Sequence, residues 1–183
     1  MAKLHIFQEP NSILRKKAAD VPIGEISSPK IQKLLRDMHD TLTATEIGVG
    51  LAAPQIGRPL KIFLVLENAV RKTDGKDSDA SEEPVKKEKK VTRIFVNPRI
   101  IKAARKKVWM TEGCLSVDGS FGKIRRSKKV TVEAHDERGK KFIRGASGLL
   151  AEIIQHEVDH LHGILFIDNA KEVKKLDHEE SFS

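Results

Sequence analysis

The stretch Gln155-His156-Glu157-Val158-Asp159-His160 constrains this chain more than any other. Two histidines four residues apart lie one turn from each other on a helix face, so both imidazoles can reach one metal ion. The glutamate between them lies near enough to take a proton from a bound water. The flanks carry a helical pattern. Leu149, Leu150, Ile153, Ile154, Val158 and Leu161 form an apolar surface wide enough to bury the helix. Ser147 suits the N-cap, and Gly163 suits the left-handed position just past the C-terminus. Two histidines do not hold a catalytic metal alone, so a third ligand has to come from elsewhere in the chain.

The 183-residue sequence reads as one domain, residues 1–183, with a sizeable core. Residues 1–27 form an irregular arm broken by Pro10 and Pro22 and anchored at Ile13-Leu14-Arg15. Ser28 and Pro29 open a helix with Ile31, Leu34, Leu35, Met38 and Leu42 on one stripe, fading around Ala44 to Glu46. Gly48 to Gly57 is dominated by small residues around Gln55 and lets a backbone approach closely, though it equally suits a tightly packed loop. Strands follow at Lys61–Leu66, Arg93–Pro98 with Ile100-Ile101, Lys107–Met110, Ile124–Arg126, Lys129–His135 and Lys140–Arg144. Residues 68–90 are charged and poor in large apolar residues, which predicts a solvated surface insertion. From Asp168 to residue 183 the tail is polar and expected to be loose. The fold class is therefore α+β: mostly antiparallel sheets wrapped around the histidine helix, with the Ser28–Thr45 helix packed outside.

Cys114 is the only cysteine, so no intrachain disulfide can form. Set in Glu112-Gly113-Cys114-Leu115-Ser116, it offers a thiolate to complete a Cys-His-His site. Three protein ligands leave one position open, the catalytic arrangement and not the closed structural one. No stretch approaches the length of an apolar membrane span, and Met-Ala-Lys-Leu-His has no apolar leader core, so a cytoplasmic protein without membrane contact is expected. The net charge of +8 suits an anionic partner without identifying one.

Three stretches in this order, Gly48–Gln55, Glu112–Ser116 and Gln155–His160, make the chain resemble the peptide deformylases. The resemblance runs from about Leu14 to Phe166. It implies hydrolysis of the N-formyl group from formyl-methionine at the start of newly made polypeptides, with release of formate. It also implies Cys114, His156 and His160 as ligands of one divalent metal ion, ferrous iron in the cell, with zinc or nickel as substitutes. Metal-bound water would attack the formyl carbon, with Glu157 as general base and then acid. The Gln55 amide and the Leu115 backbone N–H would bind the oxyanion, and Gly50 would let the substrate backbone lie close. Val49, Met110, Leu149, Ile153 and the His156 ring would form the methionine pocket. Glu112, Arg126 and Asp159 would form a buried charge cluster holding the cysteine loop to the helix. The resemblance implies nascent formylated polypeptides as partners; the basic net charge favours the RNA-rich ribosomal tunnel exit, and no DNA partner is expected. It fits bacterial cytoplasm or an organelle. Asp118–Gly122 lacks the arginine that many bacterial members carry, and the C-terminal stretch is short and mixed in charge. A generic zinc peptidase remains an alternative, but its usual third ligand lies downstream of the histidines, where nothing suitable follows. A basic binding protein with a structural Cys-His-His site would need a fourth ligand and gives Glu157 and Gln55 no task. An inactive relative that binds nascent chains would keep its partner after Glu157→Gln, whereas an enzyme would lose its activity.

Overall fold

The computed structural model describes residues 3–68 and 90–175. The charged insertion expected at residues 68–90 therefore falls almost entirely outside the described residues. Helix α1 spans Pro29–Thr43, with Pro29 at its start and the Ser28 hydroxyl accepting the Ile31 N–H. Ile31, Leu35, Met38 and Leu42 are buried as the stripe predicts, and Leu34 is half-buried.

Strands β1 (Gly50–Ala52), β2 (Ile62–Leu66), β3 (Thr92–Ala103), β6 (Lys129–His135) and β7 (Lys141–Ser147) form one antiparallel sheet in that order. Strands β4 (Lys107–Cys114), β5 (Val117–Ser127) and β8 (Lys171–Lys175) form a second, also antiparallel. The continuous apolar run of β2 has a direct cause: the larger sheet is covered on both faces there. Phe63 and Val65 point to helix α2 (Gly148–Leu161), while Ile62, Leu64 and Leu66 meet the α1 stripe. Phe63 stacks on Phe95, ring centroids 4.6 Å apart, beneath Leu150, Ile153 and Ile154 of α2. The histidine helix thus lies against the inner face of the sheet, with α1 outside.

Two details hold α2 in place. Gly163 has φ +74°, and a side chain there would run into the backbone of Arg15, so glycine is required twice over. The N-terminal arm uses that gap: the Ala18 N–H donates to Leu161 O at 2.9 Å, and Leu14 is fully buried. Midway along the helix, Gln155 clamps it to the end of β5. Its Nε2 donates to Ser127 O (3.0 Å) and its Oε1 accepts the Ser127 N–H (2.9 Å).

Two expectations are corrected. Ser147 occupies the N-cap position, but its hydroxyl makes no cap. The chain enters α2 from extended Ser147 through Gly148 at φ +55°, and the serine side chain stays exposed at the end of β7. Nor is the tail loose between Asp168 and Lys175; residues 176–183 lie outside the described residues. Asp168 accepts from Arg15 Nη1 (2.5 Å) and the Leu165 N–H (2.9 Å), and Lys171–Lys175 pairs with β5.

Candidate metal centre

Strand β4 and helix α2 bring the three expected ligands together. Cys114 ends β4, where the register with β5 breaks: Gly113 pairs with Phe121, but Cys114 pairs with Val117. The tight Leu115-Ser116 turn then aims the thiol back at α2. Cys114 Sγ lies 3.2 Å from His160 Nε2, and His160 Nε2 lies 3.2 Å from His156 Nε2. All three donor atoms lie within 4.8 Å of one another. A tetrahedral ion with bonds of about 2.0–2.3 Å keeps such donors roughly 3.3–3.6 Å apart, so this triangle fits one ion.

The electrostatics favour positive charge at the same point. Glu112 Oε2 accepts from His156 Nδ1 at 2.9 Å, which leaves Nε2 free to bind a metal. Burial alone would lower the His156 pKa, yet hydrogen bonds to Cys114 and Glu112 and the nearby Glu157 push it well above its ordinary range. His160 is driven the other way, first by burial and then by His156, and stays neutral. A divalent cation held by Cys114, His156 and His160 would supply the positive charge that these neighbours attract.

Glu112 is itself held in a fork. Arg126 Nε and Nη2 donate to its two oxygens at 2.6 and 2.9 Å, and Arg126 Nη1 donates to Asp159 Oδ2 at 2.6 Å. Burial would raise the Glu112 carboxyl, but Arg126 and His156 outweigh it and hold it below the usual range. This chain of contacts ties β4, β5 and α2 around His156. Gln55, in the short turn after β1, is also fixed: Oε1 accepts the Ala52 N–H at 2.8 Å, and Nε2 donates to Ser116 Oγ at 3.1 Å and approaches Cys114 Sγ at 3.6 Å.

A cavity of about 480 Å³ opens beside these groups. Val49, Gly50, Gln55, Cys114, Leu115, Leu149, Ile153, His156 and Glu157 all line it. Met110, expected in the pocket, does not. Its neighbours Thr111 and Glu112 do line the cavity, while Met110 is half-buried opposite Ile124. Glu157 is buried, with Oε2 unpartnered, and burial pushes its pKa up to about 7. Gly50 packs directly against that carboxyl, leaving no room for a side chain.

Two residues of the site have no role assigned from the sequence. Ser116 is fully buried and receives the Gln55 amide. Glu152 lines the cavity, and burial, then Glu112, raises its pKa to about 7. Its signal was available, since it lies one turn before His156 on the same helix face. The described lining includes Glu112, Asp118, Glu152 and Glu157 and no lysine or arginine, although the chain carries +8.

Comparisons with known proteins point to one family. The family model described as polypeptide deformylase matches residues 3–176. A peptide deformylase of Christiangramia forsetii is 36% identical over 172 residues, covering 94% of this chain and 84% of the relative. Peptide deformylase 1A of Arabidopsis thaliana, a chloroplastic and mitochondrial protein, is 42% identical over 166 residues, 89% of this chain and 60% of its own length. The crystal structure of a peptide deformylase from Legionella pneumophila superposes with a TM-score of 0.76 at 36% identity, covering 93% of this chain and 88% of that one. With the three ligand atoms converging and the match spanning nearly its full length, the chain belongs to the polypeptide deformylase family of metal-dependent hydrolases.

Proposed function

We propose that the chain acts as one catalytic domain that removes the N-formyl group from formyl-methionine at the start of newly made polypeptides, releasing formate. The observation that carries this reading is the shared cavity: Cys114, His156 and His160 converge beside a buried, unpartnered Glu157 carboxyl and the Gln55 amide. When bound by those three residues, a divalent ion, ferrous iron in the cell and zinc or nickel as substitutes, acidifies water and polarises the formyl carbonyl.

The residues around it divide the remaining work. The substrate backbone lies along β1 at Gly50, and its methionine side chain enters between Val49, Leu149, Ile153 and the His156 ring. Glu157 takes one proton from the attacking water as the water oxygen bonds to the formyl carbon. It then delivers that proton to the nitrogen as the C–N bond breaks. One Gln55 N–H is held by Ser116, and the other, which faces Cys114 Sγ at 3.6 Å, would turn to the oxyanion together with the Leu115 N–H. Glu112, fixed by Arg126, keeps His156 in the tautomer that presents Nε2. Among the described residues no helix is long and apolar enough to cross a membrane. The reading places the enzyme in bacterial cytoplasm or an organelle, meeting its substrate near the ribosomal tunnel exit.

The test is formate release from a short formyl-methionyl peptide by protein loaded anaerobically with ferrous iron, compared with the zinc form and with Glu157→Gln. Activity with iron, less with zinc and none in the variant is expected. Folded, metal-loaded protein that releases no formate in any form would end this reading.

A further inference from the structure

The second sheet has an outer face that the metal site does not use. Trp109 of β4 is 52% exposed, although it is the largest apolar side chain in the sequence. Its register partner on β5 is Arg125, whose guanidinium carbon lies 5.7 Å from the ring centroid. Lys171 of β8 reaches the same ring, with Nζ 5.8 Å from its centroid. Both distances lie within the range of a cation–π contact. Exposed cations continue the face: Lys107 two residues before Trp109, Lys123 two before Arg125 and opposite Lys171, and Lys128 just past the end of β5. The exposed acids on these three strands are Glu172, paired with Lys123 at 2.7 Å, and Asp118, which lines the cavity at the far end of β5.

Lysines on an edge strand have a plain explanation, since they discourage sheet-to-sheet pairing. That accounts for β8 but not for a half-exposed tryptophan set among cations. A polyanion bearing planar rings answers both features, with phosphates on the cations and a base against the indole. An anionic membrane would be better served by apolar residues flanking the tryptophan, where this face has charges. We propose that the outer face of the β4-β5-β8 sheet, centred on Trp109, Arg125 and Lys171, binds single-stranded RNA. The choice of RNA over DNA rests on the proposed function, because newly made polypeptides occur beside RNA; the surface itself does not depend on that reading.

Trp109 is the only tryptophan in the chain, so its fluorescence reports this face alone. Labelled oligouridine is titrated by anisotropy while the tryptophan emission is followed, over a series of salt concentrations. Saturable binding should quench Trp109. Affinity should fall with salt at a log–log slope of about −2 to −3, as three or four neutralised phosphates on a single strand require. Arg125→Glu combined with Lys171→Glu should weaken binding at least about tenfold without moving the thermal unfolding midpoint. Trp109→Ala should weaken it as well, whereas Trp109→Phe should largely retain it. The proposal is overturned by an absence of saturable binding at low salt, by binding that leaves Trp109 emission and the charge-reversal variant unaffected, or by tighter binding of oligothymidine DNA or anionic vesicles. None of these readouts uses formate release, so this proposal and the deformylase reading can fail separately.

Discussion

Replacing Gly50 with alanine adds one methyl group where the structure has no space for it. A Cβ built there overlaps Glu157 Oε1 and lies 2.9 Å from Glu157 Cδ and 3.0 Å from Ile153 Cγ2. Carbon atoms rest about 3.5–4.0 Å apart, so something must retreat by roughly 0.6–1 Å. Strand β1 cannot easily do so, because Gly50 is in register with Val65 of a strand buried on both faces. Helix α2 is held by its apolar face and by the Gln155 clamp. The freest atoms are the carboxyl group of Glu157, the proposed general base. Gly50 does not have a positive φ, so its backbone tolerates alanine. A displacement near 1 Å of a catalytic group costs about 100-fold in rate, or about 2.7 kcal/mol of barrier. Overpacking should cost no more than about 1–3 kcal/mol of stability. Steady-state formate release, metal content and thermal unfolding measured on one preparation separate these effects. The expected result is a large fall in kcat/KM with the metal retained and cooperative unfolding preserved. Glu157→Asp draws the carboxyl back by one methylene, so adding Gly50→Ala to that variant should cost far less than it does alone. A Gly50→Ala protein within about threefold of the parent would show that this contact does not position the reacting groups.

Two further outcomes follow from the charge clusters. Arg126→Met strands Glu112 in a buried site without its fork and should cost about 3–5 kcal/mol in urea unfolding; Arg126→Lys should recover only part of this, because an ammonium cannot reproduce the bidentate geometry. A loss below about 1 kcal/mol for Arg126→Met would mean the cluster is not a structural tie. For Asp168, burial would raise the pKa, but the Arg15 hydrogen bond and the Leu165 N–H outweigh it and leave the folded value lowered. Its contribution to stability is then present above the ordinary carboxylate range near pH 4 and is lost as pH falls through the folded value. The melting-temperature gap between the parent and Asp168→Asn should therefore be open at neutral pH and close in acid; a gap that stays constant with pH would remove Asp168 from the acid response.

What could be read from the sequence followed the range of the interaction that fixes each feature. The α2 helix and its two histidines are local, set by one-turn spacing and an apolar stripe, and both were legible. The β2 run was legible because burial on both faces leaves no polar residue in it. Strand β8 was not, since Lys171 to Lys175 are all exposed and the strand is recognisable only from its hydrogen bonds to β5. Met110 shows a related limit. Alternation sets it on the Glu112 face of β4, but not whether its side chain reaches the cavity that Thr111 and Glu112 line. Glu152 illustrates the remaining gap. Its position on the His156 face follows from helical spacing, but the burial that raises its pKa is created by the cavity walls on β1, β4 and β5. Spacing therefore brings residues to a common point, while the chemistry at that point depends on packing from distant segments. The strongest sequence signal here, His156 and His160 with Glu157, acquires its metal-binding geometry only when Cys114 and Glu112 arrive on β4, more than forty residues earlier in the chain.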